Sequence, residues 1–374
     1  VSLRRARFLG LTAGACAAAG LGVSRNVGAA GVAIAGKPDG RYWEFDGIVA
    51  NFMLAKNITA GQFAFGRNGA VLFSHAYTLG APPYMQTQTG SILRVASLSK
   101  AFTSACITTL LATKAFTLDT PLFAYLGIDT PLLGSQTPDR HAGRITIGQV
   151  VAHTSGLNPS GQGDPEFQYR KIENAIDAAG PLTQAQFARY VYGLPLQSIP
   201  GDIYAYSNVG YFLLGRVVEK ASGRRYLAYL RDIVLEPLGI TDVALSATAQ
   251  SGRLPNEVAY DAPGEGLSVL EPRSQTLLPM AYGGATYWET FDACSDIATS
   301  AESLVKLIGR YAAWGIGGRA PGSARAGNMP GTQAVIENRH DGVDYAFAFN
   351  KWADDDPYNS DFRRQLSARI DQGV

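Results

Sequence analysis

Two hairpin patterns, one near each end of the chain, constrain the fold more than any other feature of the sequence. The pairs Asn68-Gly69 and Asp341-Gly342 each lie between two segments of β-strand character. Asn-Gly and Asp-Gly are the pairs that tight hairpin turns favour. The flanking segments are 62–67 and 70–77 for the first turn, and 332–337 and 343–350 for the second. Strands at both ends with few between them predict one discontinuous sheet domain.

Helical patterns occupy most of the remaining chain. Apolar residues at helical spacing fill the middle, and amphipathic stretches lie near both ends, at 42–55 and 360–370. The predicted middle helices are 101–114, 183–192, 210–221 and 226–238. The expected class is α/β (α+β): an antiparallel sheet flanked by terminal helices, with an inserted, mostly helical domain. The expected division is a sheet domain of residues 36–100 and 285–374 and a helical insert of residues 101–284.

Composition excludes several classes of protein. With 46% hydrophobic and 17% charged residues, the chain of 374 residues is globular rather than disordered. A formal charge of +1 provides no basic field for a phosphate backbone, so no nucleic-acid partner is expected. The four His and three Cys form neither a Cys-x-x-Cys nor a His-Glu-x-x-His pattern, so no metal and no cofactor are predicted.

The N-terminal segment, residues 1–35, has the pattern of an export signal. Three arginines within the first seven residues precede an apolar run, 8–23, which is too short for a stable membrane span. The arginine pair resembles a twin-arginine signal with altered spacing, and Sec export is the alternative. Ala33-Ile34-Ala35 and, as a second choice, Val27-Gly28-Ala29 fit a cleavage site. We therefore expect a periplasmic or secreted protein.

The first chemical motif is Ser97-x-x-Lys100, directly before an apolar helix pattern. Residues three apart lie on one helix face, so the Lys100 amine can reach the Ser97 hydroxyl. A lysine works as a base only where burial or a second cation lowers its pKa. The motif is also frequent by chance. Taken alone, it favours a helix-capping Ser97 and a solvated Lys100 over a catalytic pair.

The second motif is Tyr206-Ser207-Asn208, in a glycine-bounded loop before another helix pattern. Such a loop can direct a phenol and an amide at one point. A phenol between two cations ionises below its usual pKa of about 10, so Tyr206 is a candidate to take the Ser97 proton. Asn208 is a candidate to hold Lys100 and a substrate amide. The alternative is a packing tyrosine beside a turn asparagine.

Together with two further segments, these motifs resemble the class C β-lactamase-related serine hydrolases. The matching segments are 93–100, 150–157, 200–214 and 235–240, and the resemblance covers about residues 40–370 in the family's order. The family includes penicillin-binding D-alanyl-D-alanine carboxypeptidases, D-aminopeptidases and esterases. The resemblance implies a β-lactamase/transpeptidase-like fold and an acyl-enzyme on Ser97. Lys100 and Tyr206 become the proton-handling pair, and Asn208 becomes a ligand of Lys100 and substrate.

The family's third motif, Lys or His followed by x-Gly on an edge strand, matches Arg325-Ala326-Gly327. Arginine keeps the positive charge but cannot lose it. The resemblance implies that Arg325 faces the site, that Gly327 lets a substrate lie against the strand, and that the N–H groups of Asn328 and Ser97 form an oxyanion hole. A remodelled loop with Arg325 in solvent is the alternative.

The leading hypothesis is an exported serine hydrolase that acts on ester, amide or peptide acyl donors. A β-lactamase would share every motif, and a non-catalytic penicillin- or peptide-binding protein is the alternative from another class. A Ser/His triad through His153 is disfavoured, because the chain lacks a Gly-x-Ser-x-Gly elbow. The expected partner is a small-molecule or peptide acyl substrate, and the sequence leaves the oligomeric state open.

Overall fold

The computed structural model describes residues 26–27, 31–80, 85–157, 163–353 and 355–374. The larger part of the predicted export signal lies outside these residues. The strands are β1 Asn26–Val27, β2 Val32–Gly36, β3 Ala60–Arg67, β4 Ala70–Leu79, β5 Leu93–Arg94, β6 Ala244–Leu245, β7 Glu265–Leu267, β8 Leu277–Pro279, β9 Ile297–Thr299, β10 Ser323–Met329, β11 Thr332–Asn338 and β12 Val343–Phe349. The α-helices are α1 Trp43–Lys56, α2 Ser99–Ala112, α3 Leu122–Leu126, α4 Ile147–Val151, α5 Tyr169–Ala175, α6 Gln184–Tyr192, α7 Asn208–Ser222, α8 Tyr226–Tyr229, α9 Ala301–Ile308 and α10 Ser360–Ile370.

The two predicted hairpins are halves of one antiparallel sheet, ordered β1-β2-β4-β3-β12-β11-β10. They join where β3 pairs with β12, with Phe63 opposite Phe347. Asn68 and Gly69 both have positive φ, as a two-residue hairpin turn requires. The second turn is longer: Arg339 N–H still bonds to the Val343 carbonyl, and Gly342 at φ 87° closes the loop. The discontinuous sheet is thus confirmed, and β10 is one of its edges.

The two faces of the sheet pack against different helices, because side chains alternate along each strand. On β12, Tyr345, Phe347 and Phe349 join a core with α1 and α10, in which Phe52 stacks on Phe362 at 4.3 Å between ring centroids. Ala346 and Ala348 face the other way and belong to the core that contains α2 and α7. These small side chains let the helical layer approach the sheet, and that layer carries the site.

The middle of the chain departs from the helical expectation in two ways. The predicted helix 226–238 divides into α8, a π-helical turn at Leu230–Leu235 and a 3₁₀ turn at Glu236–Leu238. Pro237 lacks the N–H that a continuing helix needs. Two small sheets, β5-β9-β6 and β7-β8, also form between the helices. The β5–β9 pair places the segment before Ser97 against a strand about 200 residues later.

Strand β2 bears on where an export signal would be cleaved. Its residues 32–36 pair with β4 in the sheet. Cleavage after Ala35 would remove most of this strand, whereas cleavage after Ala29 would leave it in place. Export itself stays a prediction. Within the described ranges, no helix is long and apolar enough to cross a bilayer.

A buried histidine ties β4 to the first helix and predicts a pH dependence of stability. His75 Nδ1 lies 2.8 Å from Asp46 Oδ1 and Nε2 lies 2.9 Å from the Lys37 carbonyl oxygen, so both nitrogens donate and the ring is charged. Burial opposes that charge, but the bonds to Asp46 and Lys37 outweigh it and raise the pKa of His75 above its ordinary value. The stability contribution is therefore full below the unfolded pKa of about 6.5 and is lost as pH rises through the folded pKa.

Denaturant unfolding of wild type and His75→Gln across pH 5 to 9 measures this contribution. The difference in unfolding free energy is expected to be largest at pH 5 and to shrink as pH rises. Asp46→Asn removes the anionic partner and should weaken the same dependence. A difference that grows above pH 8 would contradict the assigned charge.

Candidate active site

Ser97 lies in a tight turn between β5 and α2. The turn is a 3₁₀ turn, Ala96–Leu98, anchored by the Val95 N–H, which donates to the Ile297 carbonyl at 2.9 Å. Ala96 has φ 46°, a left-handed conformation that costs a non-glycine residue energy. Its side chain is buried against Trp288 and Met329, and this packing holds the conformation. Ser97 is therefore presented, partly exposed, at the start of a rigid buried helix.

The edge strand β10 runs directly against this turn. A β-carbon at Gly327 would collide with the Val95 carbonyl oxygen and lie 3.0 Å from the Ser97 nitrogen. Only glycine permits so close an approach. Gly327 thus lets the strand approach the turn that carries Ser97, and its expected role toward a substrate stays a prediction.

The first two motifs meet at one point. Ser97 Oγ lies 2.7 Å from Tyr206 Oη and 3.3 Å from Lys100 Nζ. Lys100 is fully buried, and its ammonium also donates to Asn208 Oδ1 at 2.7 Å and to the Cys294 carbonyl at 2.9 Å. The readings of Ser97 as a simple cap and of Lys100 as a solvated side chain do not fit this geometry.

The protonation states of Lys100 and Tyr206 differ from those that the sequence predicts. Burial opposes the charge on Lys100, but interactions with Tyr206, Cys294 and Glu166 outweigh it, and its pKa is raised above the ordinary value. Burial also raises the pKa of Tyr206 above 10, although Lys100 and Ser97 act the other way. The expectation of a phenol that ionises below its usual pKa is wrong in direction. At rest the site holds an ammonium and a neutral phenol.

Asn208 begins α7, whose N-cap is Ser207. Its amide is bonded at both ends inside the protein: Oδ1 accepts from Lys100, and Nδ2 donates to Asp164 Oδ2 at 2.7 Å. The predicted contact with Lys100 is present. One of the two amide N–H bonds is used by the Asp164 carboxylate, and the expected contact of Asn208 with a substrate stays a prediction.

Two carboxyl groups beside Lys100 were missed by the sequence reasoning. Asp164 accepts from the Glu166 N–H at 3.0 Å and begins the 3₁₀ turn Pro165–Gln168. Glu166 is fully buried and accepts a bond from the Ser295 hydroxyl. Burial, followed by the charge of Asp164, raises the pKa of Glu166 to about 7. In the sequence, the Asp-Pro-Glu segment shows only a turn and a helix start.

Arg325 lies on the same face of β10 as Gly327, toward the helical layer. Its guanidinium carbon lies 4.9 Å from the centre of the Trp314 ring, and that ring lies 5.5 Å from the Tyr206 ring. Nη1 donates to the Ala324 carbonyl at 2.7 Å. In the described part of the chain Arg325 forms no ion pair, and Nε is buried without a partner. Arg325 therefore stands near the site with unused donors.

Asn328 presents its side chain to the opposite face of β10. Its Nδ2 donates to the Pro357 carbonyl at 3.3 Å, and its backbone lies opposite Gln333 in the sheet. The side chain takes no part in the cluster around Ser97. The expected role of Asn328 through its N–H stays a prediction.

His153 supports the site without touching the serine. Nδ1 accepts from the Ser207 N–H at 3.1 Å, and the ring lies 4.9 Å from both the Tyr206 and Tyr211 rings. Burial, followed by the charges of Lys100 and Arg325, lowers the pKa of His153 to about 3. The ring is neutral, and it holds the loop that carries Tyr206. Across the ranges given above, no cluster of His, Cys, Asp or Glu is arranged to bind a metal.

The fold and the site together place a Ser-Lys-Tyr cluster between a sheet edge and a helical layer. The beta-lactamase family profile matches residues 45–353. The chain thus belongs to the beta-lactamase family of serine hydrolases, and the resemblance read from its motifs is confirmed.

Individual relatives differ in their chemistry. The D-alanyl-D-alanine-carboxypeptidase/endopeptidase AmpH of Escherichia coli K12 is 28% identical over 169 residues, covering 45% of this chain and 40% of AmpH. Esterase EstB of Burkholderia gladioli is 25% identical over 283 residues, covering 69% of each chain. The D-amino acid amidase of Ochrobactrum anthropi SV3, solved with D-phenylalanine, superposes with a TM-score of 0.63 at 17% identity, over 89% of this chain and 99% of that one. This last likeness is one of fold.

Proposed function

We propose that the chain hydrolyses ester, amide or peptide acyl donors through an acyl-enzyme on Ser97. One observation carries the proposal: Ser97 Oγ lies within hydrogen-bond distance of both Tyr206 Oη and the buried Lys100 Nζ. A hydroxyl placed between a phenol and an amine becomes an activated nucleophile once that pair has lost a proton.

The contacts support a two-step reaction. Once the Lys100–Tyr206 pair has lost one proton, Tyr206 takes the Ser97 proton while Oγ bonds to the substrate carbonyl carbon. Collapse of the tetrahedral intermediate breaks the bond to the leaving group, which receives that proton. Water then attacks the acyl-enzyme by the same route and releases the acid and Ser97. The N–H groups of Ser97 and Asn328 are the proposed oxyanion donors.

Two other functions differ from this one in measurable ways. A β-lactamase would clear a lactam acyl-enzyme rapidly, and the cationic Arg325 supplies no proton to help it. A non-catalytic binding protein would not need the Ser97–Tyr206–Lys100 contacts to be intact. We therefore favour hydrolysis of esters or peptides.

A panel of acyl donors tests the proposal. The purified chain is treated with a fluorophosphonate, p-nitrophenyl esters, D-amino-acid amides and a chromogenic cephalosporin, and adducts are located by mass spectrometry. We expect a covalent adduct on Ser97 and turnover of an ester or amide faster than that of the cephalosporin. No adduct on Ser97 would favour a binding protein, and fastest turnover of the cephalosporin would favour a β-lactamase.

Arg325 is expected to select acyl donors that carry a carboxylate. Its planar guanidinium, held over Trp314 with unused donors, can grip a carboxylate through two hydrogen bonds. A hydrogen bond to a charged group contributes about 1.5–3 kcal/mol, so Arg325→Ala should lower kcat/KM for such substrates by about tenfold to a hundredfold. Substrate pairs that differ only in the carboxylate, assayed with both proteins, measure this selectivity.

Arg325→Lys is the matched control for this prediction. It keeps the charge but loses the planar fork, so its selectivity should fall between those of wild type and Arg325→Ala. Equal losses on both members of each pair would instead assign Arg325 to the support of Tyr206 through Trp314.

A further inference from the structure

The buried ammonium of Lys100 is bonded to neutral acceptors. Its three N–H groups meet Ser97 Oγ, Asn208 Oδ1 and the Cys294 carbonyl. Among the described residues, no carboxylate lies within salt-bridge distance of Nζ. A buried charge needs a compensating charge nearby, or it gives up its proton. The countercharge must therefore act through one of these neutral acceptors and not by direct contact with Nζ.

Asp164 occupies that position. Its Oδ2 accepts from Asn208 Nδ2 at 2.7 Å, and the same amide accepts from Lys100 at its other end, also at 2.7 Å. Carboxylate, amide and ammonium thus form a line in which each dipole supports the next. Asp164 Oδ1 is fixed by the Glu166 N–H at 3.0 Å, so the carboxylate cannot turn away without losing a bond.

We propose that Asp164 is a positioning residue of this site: through the Asn208 amide it supplies the countercharge of Lys100 and fixes the orientation of that amide. An amide can flip, and the flipped form would present N–H₂ to an ammonium, donor against donor. A carboxylate accepts only, so Asp164 accommodates only the N–H₂ end. The oxygen must then face Lys100. The kinetic part of this inference rests on the proposed function, and the charge part does not.

The other ionisable groups around Lys100 decide which carboxyl carries the charge. Tyr206 and Cys294 face Lys100 and are neutral, because burial raises the pKa of each. Glu166 keeps its proton up to a pKa of about 7. Burial also raises the pKa of Asp164, while the bonds from Glu166 N–H and Asn208 and the charge of Lys100 act against it. Asp164 is the carboxyl in line with Lys100, because its Oδ2 accepts from the Asn208 amide that also binds the ammonium. Glu166 adds its charge, which also raises the pKa of Lys100, once the pH exceeds its own pKa of about 7.

Removal of this anion has two separable consequences. The Lys100–Tyr206 pair should lose its first proton at lower pH, because an ammonium without its countercharge is less stable. The pH at which the acylation rate rises should therefore fall by about one unit or more. The plateau rate should also fall, by about tenfold, because Asn208 is free to flip.

The first measurement is the rate of fluorophosphonate labelling at Ser97 from pH 6 to 11.5, for wild type and Asp164→Asn. Asp164→Ser is a second variant, since a serine still caps the following turn if the asparagine variant folds poorly. Asp202→Asn is the matched control, because Asp202 is an exposed carboxyl on the loop that carries Tyr206. In both Asp164 variants we expect the rate to rise at a lower pH and to reach a lower plateau, and we expect neither change in Asp202→Asn. If the folded Asp164 variants show the rise at the wild-type pH, the proposal is overturned.

The second measurement follows the charge of Lys100 without any reaction. Chains labelled with ¹⁵N at lysine are titrated by NMR, and the Lys100 resonance is assigned from its loss in Lys100→Met. The ammonium should lose its proton at lower pH in Asp164→Asn than in wild type, and an equal titration in both overturns the inference. Wild type that is never labelled at Ser97 would refute the proposed function, and the lysine titration would still decide the role of Asp164.

Discussion

Replacing Ser97 with alanine is expected to lower turnover of every acyl donor by about 10⁴-fold or more, because the acyl group then has no oxygen to form a bond with. Ser97 is partly exposed, and within the described part of the chain its hydroxyl forms hydrogen bonds only with Tyr206 and Lys100. The free energy of unfolding should therefore change by no more than about 1 kcal/mol. Steady-state assays and denaturant unfolding of the same preparation measure the two effects.

The motif contains its own matched control in Ser99. The Ser99 hydroxyl is buried and accepts from the Ile297 N–H at 3.0 Å. Ser99→Ala leaves that N–H without an acceptor and should cost about 1–3 kcal/mol of stability, while the variant keeps most of its activity. Activity of Ser97→Ala within tenfold of wild type would refute the assignment of the nucleophile.

The parts of the fold that the sequence predicted are set by local patterns. The Asn68-Gly69 turn, the strands on both sides of it and the closing helix α10 each follow from spacing within about ten residues. The presence of strands at both chain ends, with few between, predicted a single sheet, but the pairing of β3 with β12 was not predicted. The small sheet β5-β9-β6 was missed, because its strands are two or three residues long and carry no visible alternation.

Within the site, the sequence identified side chains whose types form motifs and missed those that act through burial. Ser97, Lys100, Tyr206 and Asn208 stand at recognisable spacings, and the structure brings them together. Asp164 has no motif; only the fold places it behind Asn208. The direction of the Tyr206 pKa was wrong for the same reason. A sequence shows which charges exist, but the depth at which each is buried is a tertiary property.

The largest effect after loss of the nucleophile is expected for the groups that handle its proton. Tyr206→Phe removes the hydroxyl that lies 2.7 Å from Ser97, and Lys100→Met keeps an unbranched side chain without the amine. Each substitution alone should lower kcat/KM by about 10³-fold, the usual contribution of a positioned acid or base. Tyr211→Phe is the control: this buried phenol donates to the Val151 carbonyl at 3.1 Å and should be dispensable for the reaction.

The double variant shows whether the two groups form one unit. If they acted independently, the losses would multiply to about 10⁶-fold; if they share one proton through Ser97, the double variant should lie within about tenfold of the slower single variant.

The pH dependence of the wild-type rate is a second test of the shared base. Because the pKa values of Lys100 and Tyr206 are both raised, the resting pair is fully protonated near neutral pH, and the wild-type rate should rise with pH as the pair loses its first proton. Multiplicative losses in the double variant, or a wild-type rate that falls as the pH rises above neutral, would show that the two side chains do not act as a shared base.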